Sequence, residues 1–90
     1  MKAKVAVTQA LIDAANAPTP QNIFRLTTTC PVARALWDAT GFKWEVGYNT
    51  AVRSKDGLVI VLPKVAEKLS RDFTMSRPVE PVEFEVEIPD

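Results

Sequence analysis

From Val82 to Ile88 every second residue is apolar, and every residue between is glutamate: Val82, Phe84, Val86 and Ile88 against Glu83, Glu85 and Glu87. Side chains of a strand point alternately to opposite faces, so this segment dictates a half-buried β-strand with a glutamate row facing water. Outward glutamates also discourage edge-to-edge pairing of such a strand with another chain. A shorter alternation with β-branched residues at Val5 and Val7 predicts a first strand over 3–7.

Between these ends the period changes. Thr8 is placed to cap a helix in which Leu11, Ile12 and Ala15 share a face, Asp13 lies near the favourable end of the dipole, and Asn16, Ala17 and Pro18 stop the chain. Residues 17–29 have no clear period. Ile23, Phe24 and Leu26 within them fit a loop packed onto the core or, less simply, a binding loop. The sharpest local signal is Cys30-Pro31 through Gly41. Proline suits a first helical position, where its missing N–H would have no partner, with Thr29 or Cys30 as the cap. Val32, Ala35, Leu36 and Ala39 form an apolar stripe, and Gly41 offers a left-handed helix end.

Residues 42–62 read as a β-meander. Trp44, Val46 and Tyr48 alternate with Glu45 and Gly47, Asn49-Thr50 turns the chain, and Lys55-Asp56-Gly57 is a hairpin signal. Leu58-Val59-Ile60-Val61-Leu62 is apolar throughout, the pattern of a central strand covered on both faces. Pro63 opens a third helix with Val65, Leu69 and Phe73 at four-residue spacing beside Ala66. Glu67 and Arg71 form an i,i+4 pair, and Ser76-Arg77-Pro78 ends the helix. The expected fold is a single α+β domain over 1–90 of order β-α-α-β-β-β-α-β. It has a four- to five-stranded, mostly antiparallel sheet packed by about three helices on one face or at one end.

At 90 residues there is room for one domain, burying roughly 60–65% of its unfolded surface. An apolar share of 47% supports a folded chain. Eleven basic and eleven acidic side chains cancel, so no long-range field steers nucleic acid to it. The charge is nonetheless uneven: residues 76–90 hold Arg77 against Glu80, Glu83, Glu85, Glu87 and Asp90. Glu83, Glu85 and Glu87 form a solvated acidic edge or, more sharply, a strip for a basic partner. Cys30 is the single cysteine, which excludes an internal disulfide. The N-terminal residues lack the apolar run of a signal peptide, and no stretch has the length of a membrane span, so the expected location is the cytoplasm.

The chain has no histidine. It therefore lacks the usual general base at neutral pH, the usual activator of a nucleophile and the commonest metal ligand. A lone Cys30 builds no zinc site. A helix N-terminus could lower its pKa, but a buried structural thiol is the simpler reading. No phosphate-binding glycine motif is present. Neither a catalytic residue nor a metal or cofactor is expected. What remains is contact surface. Arg34, Trp37, Trp44, Tyr48, Arg53 and Lys55, with Arg25 nearby in sequence terms, have the composition of interface anchors and of nucleotide-stacking sites. Arg34 and Trp37 can share a helix face, and Arg53 and Lys55 can point the same way. Trp37 and Trp44 fit a core or core-rim role as well, the more usual one.

Cys30-Pro31-Val32-Ala33-x-Ala35-Leu36, Val46-Gly47-Tyr48, Leu62-Pro63, Pro78-Val79-Glu80-Pro81-x-Glu83-Phe84-Glu85 and Val7-Thr8-Gln9-x3-Asp13 together resemble a family of small bacteriophage and prophage proteins. Residues 17–29 are longer than in the family pattern. The resemblance implies a phage-type accessory protein in a host cytoplasm and transfers no catalytic residue. Small size, missing catalytic groups and the acidic C-terminal strip lead to the expectation of a stoichiometric binder of a host protein, such as a defence protein that it inhibits, and the arginine and aromatic set leads to the alternative of an oligomeric sponge for a small nucleotide signal. Homo-oligomerisation is expected because a domain this small gains by burying more surface.

Overall fold

The computed structural model describes residues 2–16, 30–47 and 49–89. The segment 17–29, with Arg25 and the apolar trio Ile23, Phe24 and Leu26, lies outside the described residues, as does Tyr48. The elements are β1 (Lys2–Val7), α1 (Gln9–Asn16), α2 (Pro31–Thr40), β2 (Trp44–Val46), β3 (Thr50–Arg53), β4 (Val59–Val61), α3 (Lys64–Thr74) and β5 (Val82–Glu87). The α+β class and the element order are those read from the sequence.

The described strands divide between two antiparallel sheets. The chain's two ends meet in one of them, β1 with β5, in the register Lys2↔Glu87 through Val7↔Val82. The meander forms the other, in the order β2-β3-β4. Helix α2 packs on both β1 and β2 and so ties the sheets together, while α3 packs against α2 and β5. Between these layers lies one core, with Val5, Val7, Val32, Leu36, Trp44 and Ile88 among its fully buried members.

Local chemistry explains the element ends. The Thr8 hydroxyl accepts the Leu11 amide at 3.2 Å and starts α1. Cys30 caps α2, with its Sγ accepting the Ala33 amide at 3.4 Å, and Pro31 follows in the first turn. Gly41, at φ 77°, closes α2 by donating its amide to the Trp37 carbonyl at 2.8 Å. The β3–β4 turn requires the left-handed Gly57 at φ 76°. Ser76, also left-handed at φ 59°, turns the chain out of α3.

Three sequence expectations are corrected. Strand β4 is an edge strand, not a central one: Val59 and Val61 are 54% and 75% exposed, and Ile60 alone of the three points inward. A uniformly apolar run does not reveal how many neighbours a strand pairs with, and among the described residues β4 pairs with β3 alone, while β5 lies near it without pairing. The buried stripe of α3 runs through Ala66, Leu69, Ser70 and Phe73, which leaves Val65 exposed. Helical geometry favours spacings of three and four in combination over repeated steps of four, and the stripe rotates accordingly. In α2 the buried face holds Ala33 in addition to Val32, Ala35 and Leu36, and Ala39 is exposed.

Candidate functional site

The sequence candidates fall into three places. Helix α2 buries Pro31, Val32, Ala33, Ala35 and Leu36, which turns its opposite side outward. On that helix Arg34 is half-buried, and Trp37, one turn later, is 50% exposed. The two residues are thus three apart, the spacing at which helical side chains can be neighbours.

Trp44 lies in the core with none of its surface exposed. Its indole Nε1 donates to Thr40 Oγ1 at 2.9 Å, Thr40 donates to the Leu36 carbonyl at 2.7 Å, and the Phe42 amide donates back to Thr40 at 3.3 Å. A buried indole needs such a partner, and this hydroxyl supplies it while stapling the end of α2 to β2. Trp44 is therefore a core anchor under the surface rather than part of it.

Arg53 and Lys55 do converge, on a residue that sequence reasoning missed. The Arg53 guanidinium carbon lies 4.9 Å from the Phe42 ring centroid and 5.9 Å from that of Trp44, and Lys55 Nζ lies 5.2 Å from Phe42. Register explains half of this, since Trp44 and Arg53 stand opposite each other in the β2–β3 pair. Phe42 precedes Trp44 by two residues, a strand spacing, yet it follows the helix-ending Gly41 and reads as part of the turn. Asp56 was also missed as more than a turn residue. Arg53 grips it with both arms of the fork, Nε to Oδ1 at 3.0 Å and Nη2 to Oδ2 at 2.7 Å. Asp56 Oδ1 accepts the Leu58 amide as well, at 3.2 Å. The Arg53 hydrogen bonds, followed by that amide, hold the Asp56 carboxyl at about 2, below its ordinary 3.8. The guanidinium is thereby committed within the chain, and the hairpin presents a cation-stacked phenyl ring with a net excess of one positive charge from Lys55.

Glu83, Glu85 and Glu87 do share the outer face of β5, but that face is not purely acidic. Lys2 stands opposite Glu87 and Lys4 opposite Glu85, and Lys4 Nζ also reaches Glu83 at 3.3 Å. Both partners of that ion pair are well exposed, so it contributes little to stability.

Cys30 is buried, and burial is the largest influence on its thiol, pushing the pKa up. The amides of the α2 start, chiefly Ala33, and the Arg34 charge pull the other way and lose. The side chain works as a helix cap in the core. No group of three or more metal-ligating side chains occurs among the described residues.

Grooves mark two places on the described surface. One, of about 410 Å³, runs between α3 and residues 78–82 and is lined by Val65, Leu69, Val79 and Val82 together with Lys68 and Asp72. The other, of about 340 Å³, lies where β1 meets the segment before β5, and Glu83 is the one sequence-predicted residue lining it. The sequence gives no signal for the first groove, since Val65 reads there as part of the buried stripe and is exposed in the structure. Among the described residues no helix is long and apolar enough to cross a membrane. No protein-family model, curated protein or solved structure matches the chain.

Proposed function

We propose that this chain acts without catalysis, by binding a protein partner stoichiometrically, as a phage-type accessory factor that inhibits a host defence protein. The observation that carries the binding part is Trp37. Its helix buries five residues and leaves an indole half exposed, three positions after Arg34. Exposed tryptophan next to arginine is the composition of energetic centres in protein interfaces. The host and its defence enter through the sequence resemblance to phage proteins. The absence of histidine and the buried, proton-retaining Cys30 support a non-catalytic reading.

The second reading, sequestration of a small nucleotide by an oligomer, is favoured by the cations over Phe42. It ranks lower because a phosphate would have to displace the Asp56 carboxylate from a two-bond fork with Arg53. Immobilised full-length chain exposed to a bacterial host lysate tests the first reading. One protein should be retained in near-equimolar amount, and Trp37→Ala should lower its affinity about tenfold or more. Retention of nothing, together with a raised melting temperature in the presence of cyclic nucleotides, reverses the ranking.

A further inference from the structure

Strand β4 ends its sheet, and among the described residues no strand pairs with its outer edge. Its bonds to β3 run through alternate residues: Arg53 donates to the Leu58 carbonyl and Leu62 donates to the Asn49 carbonyl, each at 2.8 Å, with Ile60 opposite Ala51 between them. In an antiparallel ladder the residues in between turn their backbone groups the other way. The N–H and C=O groups of Val59 and Val61 therefore point to the unpaired edge. Their side chains are 54% and 75% exposed on the outer face, beside half-buried Val52. Natural sheets guard such an edge with lysine, proline or a bulge, and β4 has none of these between Leu58 and Leu62.

The sequence of this edge suits pairing with a second copy of itself. Leu58-Val59-Ile60-Val61-Leu62 reads the same in both directions. A two-fold symmetric contact requires that residue i meet j while j meets i. Antiparallel self-pairing centred on Ile60 meets that condition with matched residue types at every step. It places Val59 of each copy opposite Val61 of the other, and these are the residues whose backbone groups are available. The ladder stops on either side where Gly57 would face Pro63, which has no N–H.

We propose that two copies of this chain associate through β4, antiparallel about a two-fold axis at Ile60, joining their three-stranded sheets into one continuous sheet. The contact is independent of Trp37 and leaves α2 open. Light scattering of the full chain over a range of concentrations should give a dimer that dissociates on dilution. Val61→Lys should yield a monomer with an unchanged circular dichroism spectrum, because Val61 is exposed and its replacement burdens no core. The register has its own test. Val59→Cys combined with Val61→Cys should form an intermolecular disulfide dimer on mild oxidation, with buried Cys30 a bystander. Either cysteine alone should not, since it would meet its own copy only diagonally, about 7–8 Å away and beyond the usual reach of a disulfide. A monomer at every concentration, a dimer that persists in Val61→Lys, or single variants that cross-link as well as the double one would each overturn the proposal. So would occupation of the edge by a strand of a different protein in place of the second copy.

Discussion

The two sheets follow the same alternation rule and end with opposite surfaces. In the β1–β5 sheet the inner positions are Ala3, Val5, Val7, Phe84 and Val86, and the outer ones include Lys2, Lys4, Glu83, Glu85 and Glu87. In the meander the inner positions are Trp44, Val46, Ala51 and Ile60, and the outer ones run from Glu45 through Thr50 and Val52 to Val59 and Val61. Both buried faces are apolar, so either sheet can close the core. The outer faces differ in what they permit. A lysine–glutamate lattice keeps its water and repels a misregistered strand, whereas exposed valines beside unpaired backbone groups favour another strand. The two sheets thus share a buried chemistry and differ in the chemistry that they show to solvent.

The strongest way to break the contrast is at the root of the meander. Trp44→Ala should destabilise the domain by about 3–5 kcal/mol, measured by urea unfolding, because it empties a fully buried site and removes the indole bond that joins Thr40 to β2. Loss below about 1 kcal/mol would mean that the meander is not anchored through this indole. On the charged sheet, Lys4→Glu sets like charges opposite Glu85 and beside Glu83. A cost of about 1 kcal/mol or less is expected, shrinking as salt is added.

Acid tests the meander through Asp56. The Asp56 carboxyl is held at about 2 in the folded chain against an ordinary 3.8. Its contribution is thus present above the ordinary value and is lost as pH falls through the interval toward 2, and Asp56→Asn should flatten that part of the acid unfolding curve. Cys30 carries the opposite sign. Its folded pKa is raised above 9.0, so its contribution is present below that value and disappears as pH climbs through the folded one. The smallest effect is expected from Val59→Thr, within about 0.5 kcal/mol of the parent in stability, since the side chain is half exposed and threonine suits a strand.

Much of the architecture was legible because local signals agreed. The cap at Thr8, Pro31 at the start of α2, left-handed Gly41 and Gly57, and the alternation of Val82–Ile88 each state a backbone conformation within a few residues. The candidate surface was only half legible. Arg53 and Lys55 do come together, but Asp56 reads only as a hairpin residue and no spacing marks Phe42 as their partner, and Trp44, open in the sequence to a core or a binding role, is enclosed in the core. Burial depends on what packs over a side chain, and sequence spacing does not carry that information.

By itself the sequence determined the elements, their order, the sidedness of the terminal strands and the absence of imidazole chemistry. These follow from periodicity, capping and composition, all of which act over short stretches of chain. Only the tertiary structure decided that the first and last described strands pair with each other, that the five described strands form two sheets, and that among them the most apolar one sits at an edge. Those outcomes depend on contacts between residues far apart in sequence. Their free energy comes from the joint packing around α2, which no single segment encodes.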